Sequence, residues 1–172
     1  MKQYILESSK KSKNKNKQYK IHNTAFVFAE PFEKEIDLNY IKNKIEDLIH
    51  ETAHSLEAPY GNEIYGDGRL EREFLAKRKM LYHLLGDDIR GIESYENPDY
   101  DYKFDQHLYK NIGYDKLRTV SSGLFYSPYA VTALREYWAN GFENYLLGNK
   151  KKLKELSPAL YDKLEALFDP IL

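Results

Sequence analysis

The sequence predicts an α+β fold: a small sheet with two principal helices, one carrying a His-Glu-x-x-His motif and one offering a third metal ligand. Three observations carry that reading. Apolar residues recur at three- and four-residue steps between Asp37 and Glu57, which is the period of a helix with one buried stripe. Short β-prone runs lie on either side of it. A Ser-Pro pair at 127–128 opens a further apolar helical stretch in the cap-then-proline order that favours a helix start.

In chain order, residues 8–20 are polar and lysine-rich, and residues 1–20 are expected to form a flexible basic leader, because such runs bury too little to order themselves. A single domain is expected over residues 21–172. Ala25-Phe26-Val27-Phe28-Ala29, ended by Pro31, reads as a strand. The helix of residues 37–57 places Leu38, Ile41, Ile45, Leu48, Ile49, Thr52 and Leu56 on one stripe, with Asp37 or Asn39 as cap and Pro59 with Gly61 as its close. Residues 60–68, with three glycines, read as loop. A second helix is expected over residues 70–85, ended by Gly86, and an irregular stretch with a short helix or hairpin over 87–116. Residues 117–126 read as strand or hairpin. Helices follow from Pro128 to Gly148 and from Pro158 to near Phe168.

Composition narrows the chemistry. The 172 residues suffice for a core without covalent staples. With no cysteine, any transition metal must be held by His and carboxylates. A formal net charge of -1 argues against a dedicated nucleic-acid binder, although the lysine-rich leader raises that alternative or a membrane surface. No apolar run approaches the roughly 20 residues of a bilayer span, and Tyr4-Ile5-Leu6 is too short for the core of a secretory signal. A cytoplasmic location is expected if residue 1 is the natural start.

His50-Glu51-Thr52-Ala53-His54 is the most informative segment. Residues four apart lie about 40° apart around a helix, one turn along it. Both imidazoles can grip one metal ion, with the Glu51 carboxylate placed to handle the proton of a water. Two histidines leave a catalytic zinc site one protein ligand short. The three-histidine pattern is excluded, since the positions that would hold Gly and His carry Glu57 and Tyr60. Glu57 lies a further turn along and is expected to be solvated. Glu71 and Glu73 sit among Arg69, Arg72, Lys77, Arg78 and Lys79, which favours a solvated, salt-bridged face.

Glu136 fits best, embedded among Tyr137, Trp138, Ala139 and Phe142, where a buried carboxylate needs a partner. Pairing with Arg135 is the bland alternative. Tyr129 and Glu143 lie seven residues to either side, nearly two turns, and so are expected on the same helix face. The Tyr129 hydroxyl is then placed to donate to a developing oxyanion. His22, His83 and His107 have no ligand-spaced partner, Trp138 is expected in the core, and the tyrosines of residues 95–114 in loop packing.

Two blocks resemble the anthrax lethal factor family of zinc metallopeptidases, which includes the Pro-Pro endopeptidases. One is Leu48-Ile49-His50-Glu51-Thr52-Ala53-His54. The other is Ser127-Pro128-Tyr129, seven steps to Glu136, then Tyr137-Trp138-Ala139-Asn140-Gly141-Phe142. The tail from Leu153 to Phe168 is similar to the family's closing helix. The resemblance implies a zincin-like metallopeptidase domain with one zinc ion held by His50, His54 and Glu136. It implies Glu51 as general base, Tyr129 as oxyanion stabiliser, a protein or peptide substrate and a secreted location. Ala53 and Asn140 depart from the Gly and the acidic residue common at those places. The expected activity is peptide-bond hydrolysis by a monomer, with the substrate extended along an edge strand. The alternative is a zinc-binding, non-catalytic module of a larger toxin, phage or surface protein.

Overall fold

A computed structural model describes residues 20–22, 25–27 and 37–168. The chain divides into two units between Lys42 and Asn43. In the first, β1 (Lys20–His22) pairs antiparallel with β2 (Ala25–Val27), Ile21 opposite Phe26. Most of the expected leader lies outside the described residues.

The expected α+β architecture is overturned. Among the described residues this hairpin of two three-residue strands is the whole of the β-structure, and the second unit is built of helices joined by turns and loops. The stretch read as strand or hairpin, residues 117–126, shows why. Its first half is the end of a helix (Tyr114–Ser121), and Leu117 and Ser121, four apart, face the core together. The β-branched Thr119 fits because its hydroxyl donates to the Asp115 carbonyl one turn back (3.0 Å). A tight turn then has both Leu124 N and Phe125 N donating to Ser121 O at 2.8 Å, burying Leu124 and Phe125 without a strand.

The first helix, α1 (Leu38–Tyr65), is capped as expected: the Asp37 carboxylate accepts from Asn39 N (3.0 Å) and Tyr40 N (3.1 Å). It does not stop at Pro59. The proline produces a kink, with Tyr60 at φ -118°, ψ 16°, and the helix resumes as far as Tyr65, anchored by the buried Ile64. The stop comes at Gly66–Gly68, where Gly68 adopts φ 66°.

The expected apolar stripe is buried over only part of the helix. Leu38, Ile45 and Leu48 are 75%, 46% and 67% exposed. Burial sets in with Ile49 and Ala53, where Trp138 Nε1 donates to the Ala53 carbonyl (3.1 Å).

The remaining helices are α2 (Arg69–Leu85), α3 (Tyr102–His107), α4 (Tyr114–Ser121), α5 (Leu134–Leu147), α6 (Lys150–Leu156) and α7 (Pro158–Phe168). Asp101 caps α3, which runs into a π turn, Leu108–Ile112. α5 is the central element: Tyr137, Trp138, Ala139, Phe142 and Tyr145 are buried, and it packs against α2, α6 and α7. At the α5–α7 crossing a Cβ on Gly141 would lie 2.2 Å from Leu160 Cδ2 and 2.7 Å from its Cγ, in a fully packed region. Gly141→Ala is therefore expected to destabilise the fold by about 1–3 kcal/mol, read as a lowered urea midpoint.

α2 carries the expected solvated charged face at Arg69, Glu71, Arg72 and Lys79, which are exposed, but not at Glu73, Lys77 and Arg78. The Glu73 carboxylate caps α7, accepting from Ala159 N (2.7 Å) and Leu160 N (3.2 Å), and takes the Tyr137 hydroxyl (2.8 Å). Its oxygens are committed to that cap, so Glu73 is not a metal ligand. Lys77 is buried beside it, donating to Tyr137 Oη (2.7 Å) and Ser157 Oγ (2.6 Å). Burial lowers the Lys77 amine to about 8, opposed by the charge of Glu73. Below pH 8 the amine is charged in both folded and unfolded chains, and the fold bears the full cost of desolvating it. Between about 8 and the ordinary 10.5 the folded amine sheds its proton first, and that cost falls away. Stability of the protein relative to Lys77→Met is thus expected to rise across that window, measured by urea unfolding of both.

A candidate metal centre

The helices bring His50, His54 and Glu136 together: one ligand atom from each lies within 4.8 Å of the others. His50 Nε2 is 3.0 Å from Glu136 Oε2 and His54 Nε2 is 3.7 Å from Glu136 Oε1. Bonds of about 2.0–2.2 Å at tetrahedral angles separate neighbouring ligand atoms by about 3.3–3.6 Å; the two imidazoles approach different oxygens of Glu136, and the three residues converge to within 4.8 Å. The imidazoles stand edge to face at 76°, centroids 5.0 Å apart, so two ring nitrogens converge without the rings stacking. A His₂Glu set is a zinc donor set, and the residues present fit that ion.

Each histidine has a carboxylate behind it. His54 Nδ1 donates to Glu57 Oε1 (2.8 Å), and Arg135 Nε holds the other oxygen of Glu57 (2.6 Å). His50 Nδ1 faces Glu143 Oε2 at 3.6 Å. Such partners fix ring orientation and leave Nε2 for the metal. The expectation that Glu57 is solvated is corrected: its side chain is 13% exposed because Arg135 and His54 close over it. The spacing held a signal for it, since Glu57 is three residues past His54 on one helix face.

Electrostatics follow this crowding. Hydrogen bonds to Glu136 and then Glu143 outweigh desolvation and raise His50 to about 9. Burial pushes the Glu136 carboxyl up, but the His50 hydrogen bond and the charges of His54, His50 and Arg135 hold it below the ordinary carboxylate range. Arg135 thus belongs to the Glu57 pair and acts on Glu136 only through its field.

Glu51 and Tyr129 line the same open cleft of about 350 Å³, with His50, Glu143, Glu46 and Asp47. Glu51 stands outside the group of converging ligand atoms. The Tyr129 ring lies 6.3 Å from that of His50. Burial, then the charge of Glu136, pushes its hydroxyl up to about 12, so it remains a hydrogen-bond donor at neutral pH.

The route by which Tyr129 arrives differs from the expected shared helix. Ser127 Oγ accepts from Ala130 N (3.2 Å), so the Ser-Pro device opens a 3-10 turn, Tyr129–Val131. Ala133 is extended (φ -156°, ψ 159°), and α5 begins only at Leu134. Tyr129 and Glu136 are therefore on different elements, and Glu136 sits in the first turn of α5, where a carboxylate is favoured by the helix dipole. Of the other histidines, His107 is taken up by the Asp88 carbonyl (2.7 Å) and His83 lies against Tyr82 on α2.

Compared with family models, with curated proteins and with solved structures, the chain gives no match. No helix among the described residues is long and apolar enough to cross a membrane.

Proposed function

We propose that the chain is a zinc-dependent endopeptidase of the lethal factor-like kind. The observation that carries the reading is the convergence of His50, His54 and Glu136 beside a cleft that also holds Glu51 and Tyr129. A zinc ion held by those three residues would supply Lewis acidity that lowers the pKa of a water to roughly 7. Glu51 takes the proton of the attacking water and delivers it to the leaving amine as the C–N bond breaks. Tyr129 donates its hydroxyl to the carbonyl oxygen as charge develops there. Glu57 and Glu143 keep the imidazoles aligned. The second unit offers no described strand along which a substrate could extend, so the reading rests on the site and not on the expected sheet.

The test is to incubate the zinc-loaded chain and an EDTA-stripped sample with a diverse peptide library and read the products by mass spectrometry. Internal cuts that require zinc are expected. Stoichiometric zinc with no cut peptide would overturn the peptidase reading and leave a metal-binding module.

A further inference from the structure

Arg78 is distant in sequence from every residue of the metal centre, yet it holds the segment that delivers two of them. It is 2% exposed, with Phe74 and Phe104 against its guanidinium at 4.6 and 4.5 Å. Its N–H groups go to backbone carbonyls of two loops. Nε donates to Val131 O and Nη2 to Thr132 O, both at 2.7 Å, while Nη1 reaches Asn97 O and, at 3.4 Å, Tyr95 O. The charge of Asp101 also acts on it.

Val131 ends the turn that begins with Tyr129, and Thr132 closes it, Thr132 N donating back to Tyr129 O (3.0 Å). The 95–98 loop is tied to the same place, because Leu134 N donates to Pro98 O (2.8 Å). One rigid fork thus joins the loop, the turn and the entry to α5. A lysine ammonium is a point charge without that fork, so it would leave some of these buried carbonyls unpaired.

We propose that Arg78 is the positioning residue for Tyr129, fixing the turn so that the hydroxyl faces the cleft beside His50. The activity part of this proposal rests on the peptidase reading; the geometric part does not. The two are separated by placing 3-fluorotyrosine at position 129 by site-specific incorporation and recording its ¹⁹F resonance with and without zinc. In Arg78→Lys the resonance is expected to shift or broaden, while zinc still binds stoichiometrically. On a peptide cut by the parent protein, kcat should fall by about tenfold to a hundredfold with KM unchanged. In a Tyr129→Phe background the same substitution should cost nothing further.

An unchanged resonance in folded Arg78→Lys, or a loss that adds in full to that of Tyr129→Phe, would overturn the proposal. If Arg78→Lys does not fold by circular dichroism, Arg78→Gln, which keeps a planar N–H donor, takes its place. Failure of both to fold would assign Arg78 to stability as a whole and end the positioning role. If the parent cuts no peptide, the peptidase reading fails while the ¹⁹F comparison still decides the Arg78–Tyr129 link.

Discussion

Glu51→Ala is expected to keep one equivalent of zinc and to lose peptide cleavage by about 10²–10⁴-fold, the range a positioned acid–base group contributes. The two halves of that result come from different parts of the geometry. Zinc retention follows because the converging atoms belong to His50, His54 and Glu136. The carboxylates behind the rings are Glu143 and Glu57, so Glu51 neither holds the ion nor orients a holder. Loss of rate follows because Glu51 lines the cleft with His50 and Tyr129, where a water proton must be received. Zinc content by elemental analysis and kcat on one library-derived peptide decide it. Cleavage at the full rate would remove Glu51 from the mechanism, and loss of zinc would mean that Glu51 supports the metal.

The candidate metal ligands are legible in the sequence, while the framework around them largely is not. His50 and His54 are fixed by helical spacing alone, and α1 is a helix in any fold that satisfies its period. Glu136 stands among apolar neighbours that predict a buried helix, and α5 buries Tyr137, Trp138 and Phe142. Tyr129, seven residues before Glu136, lines the expected cleft but does not share its helix, because Ala133 interposes extended backbone. Nothing local in Ser127–Ala133 announces that break. It depends on the Val131 and Thr132 carbonyls accepting from Arg78 and on Leu134 N donating to Pro98 O, both long-range.

The charges of α2 misled for a related reason. A run such as Glu73-Phe74-Leu75-Ala76-Lys77-Arg78 looks solvated until α5 brings the Tyr137 hydroxyl, α7 its N-terminus, and the turn at 129–132 with the 95–98 segment the carbonyls that accept from Arg78. The predicted sheet failed because β-branched residues near 119–120 read as strand when only local propensity is weighed. Tertiary packing decides such short segments.

Glu136→Ala is expected to weaken zinc binding by about 10²–10³-fold, one ligand's share of the roughly 10–16 kcal/mol that holds structural zinc with four. The same substitution has a second consequence in the metal-free chain. Glu136 is the largest cause of the raised His50 value of about 9, so its removal should bring His50 down, leaving the weaker pull of Glu143. Zinc needs a neutral imidazole. In the parent protein the ion must therefore displace a proton from His50 at any pH below about 9, and affinity should rise with pH up to that value and then level. In Glu136→Ala the levelling should come at lower pH, on top of the lower plateau. NMR titration of the His50 ring reads the first shift, and competition with a chelator across pH reads the second. A variant that bound zinc as tightly as the parent would exclude Glu136 as a ligand. An unchanged His50 titration would show that the 3.0 Å contact between Glu136 and His50 is not made in solution.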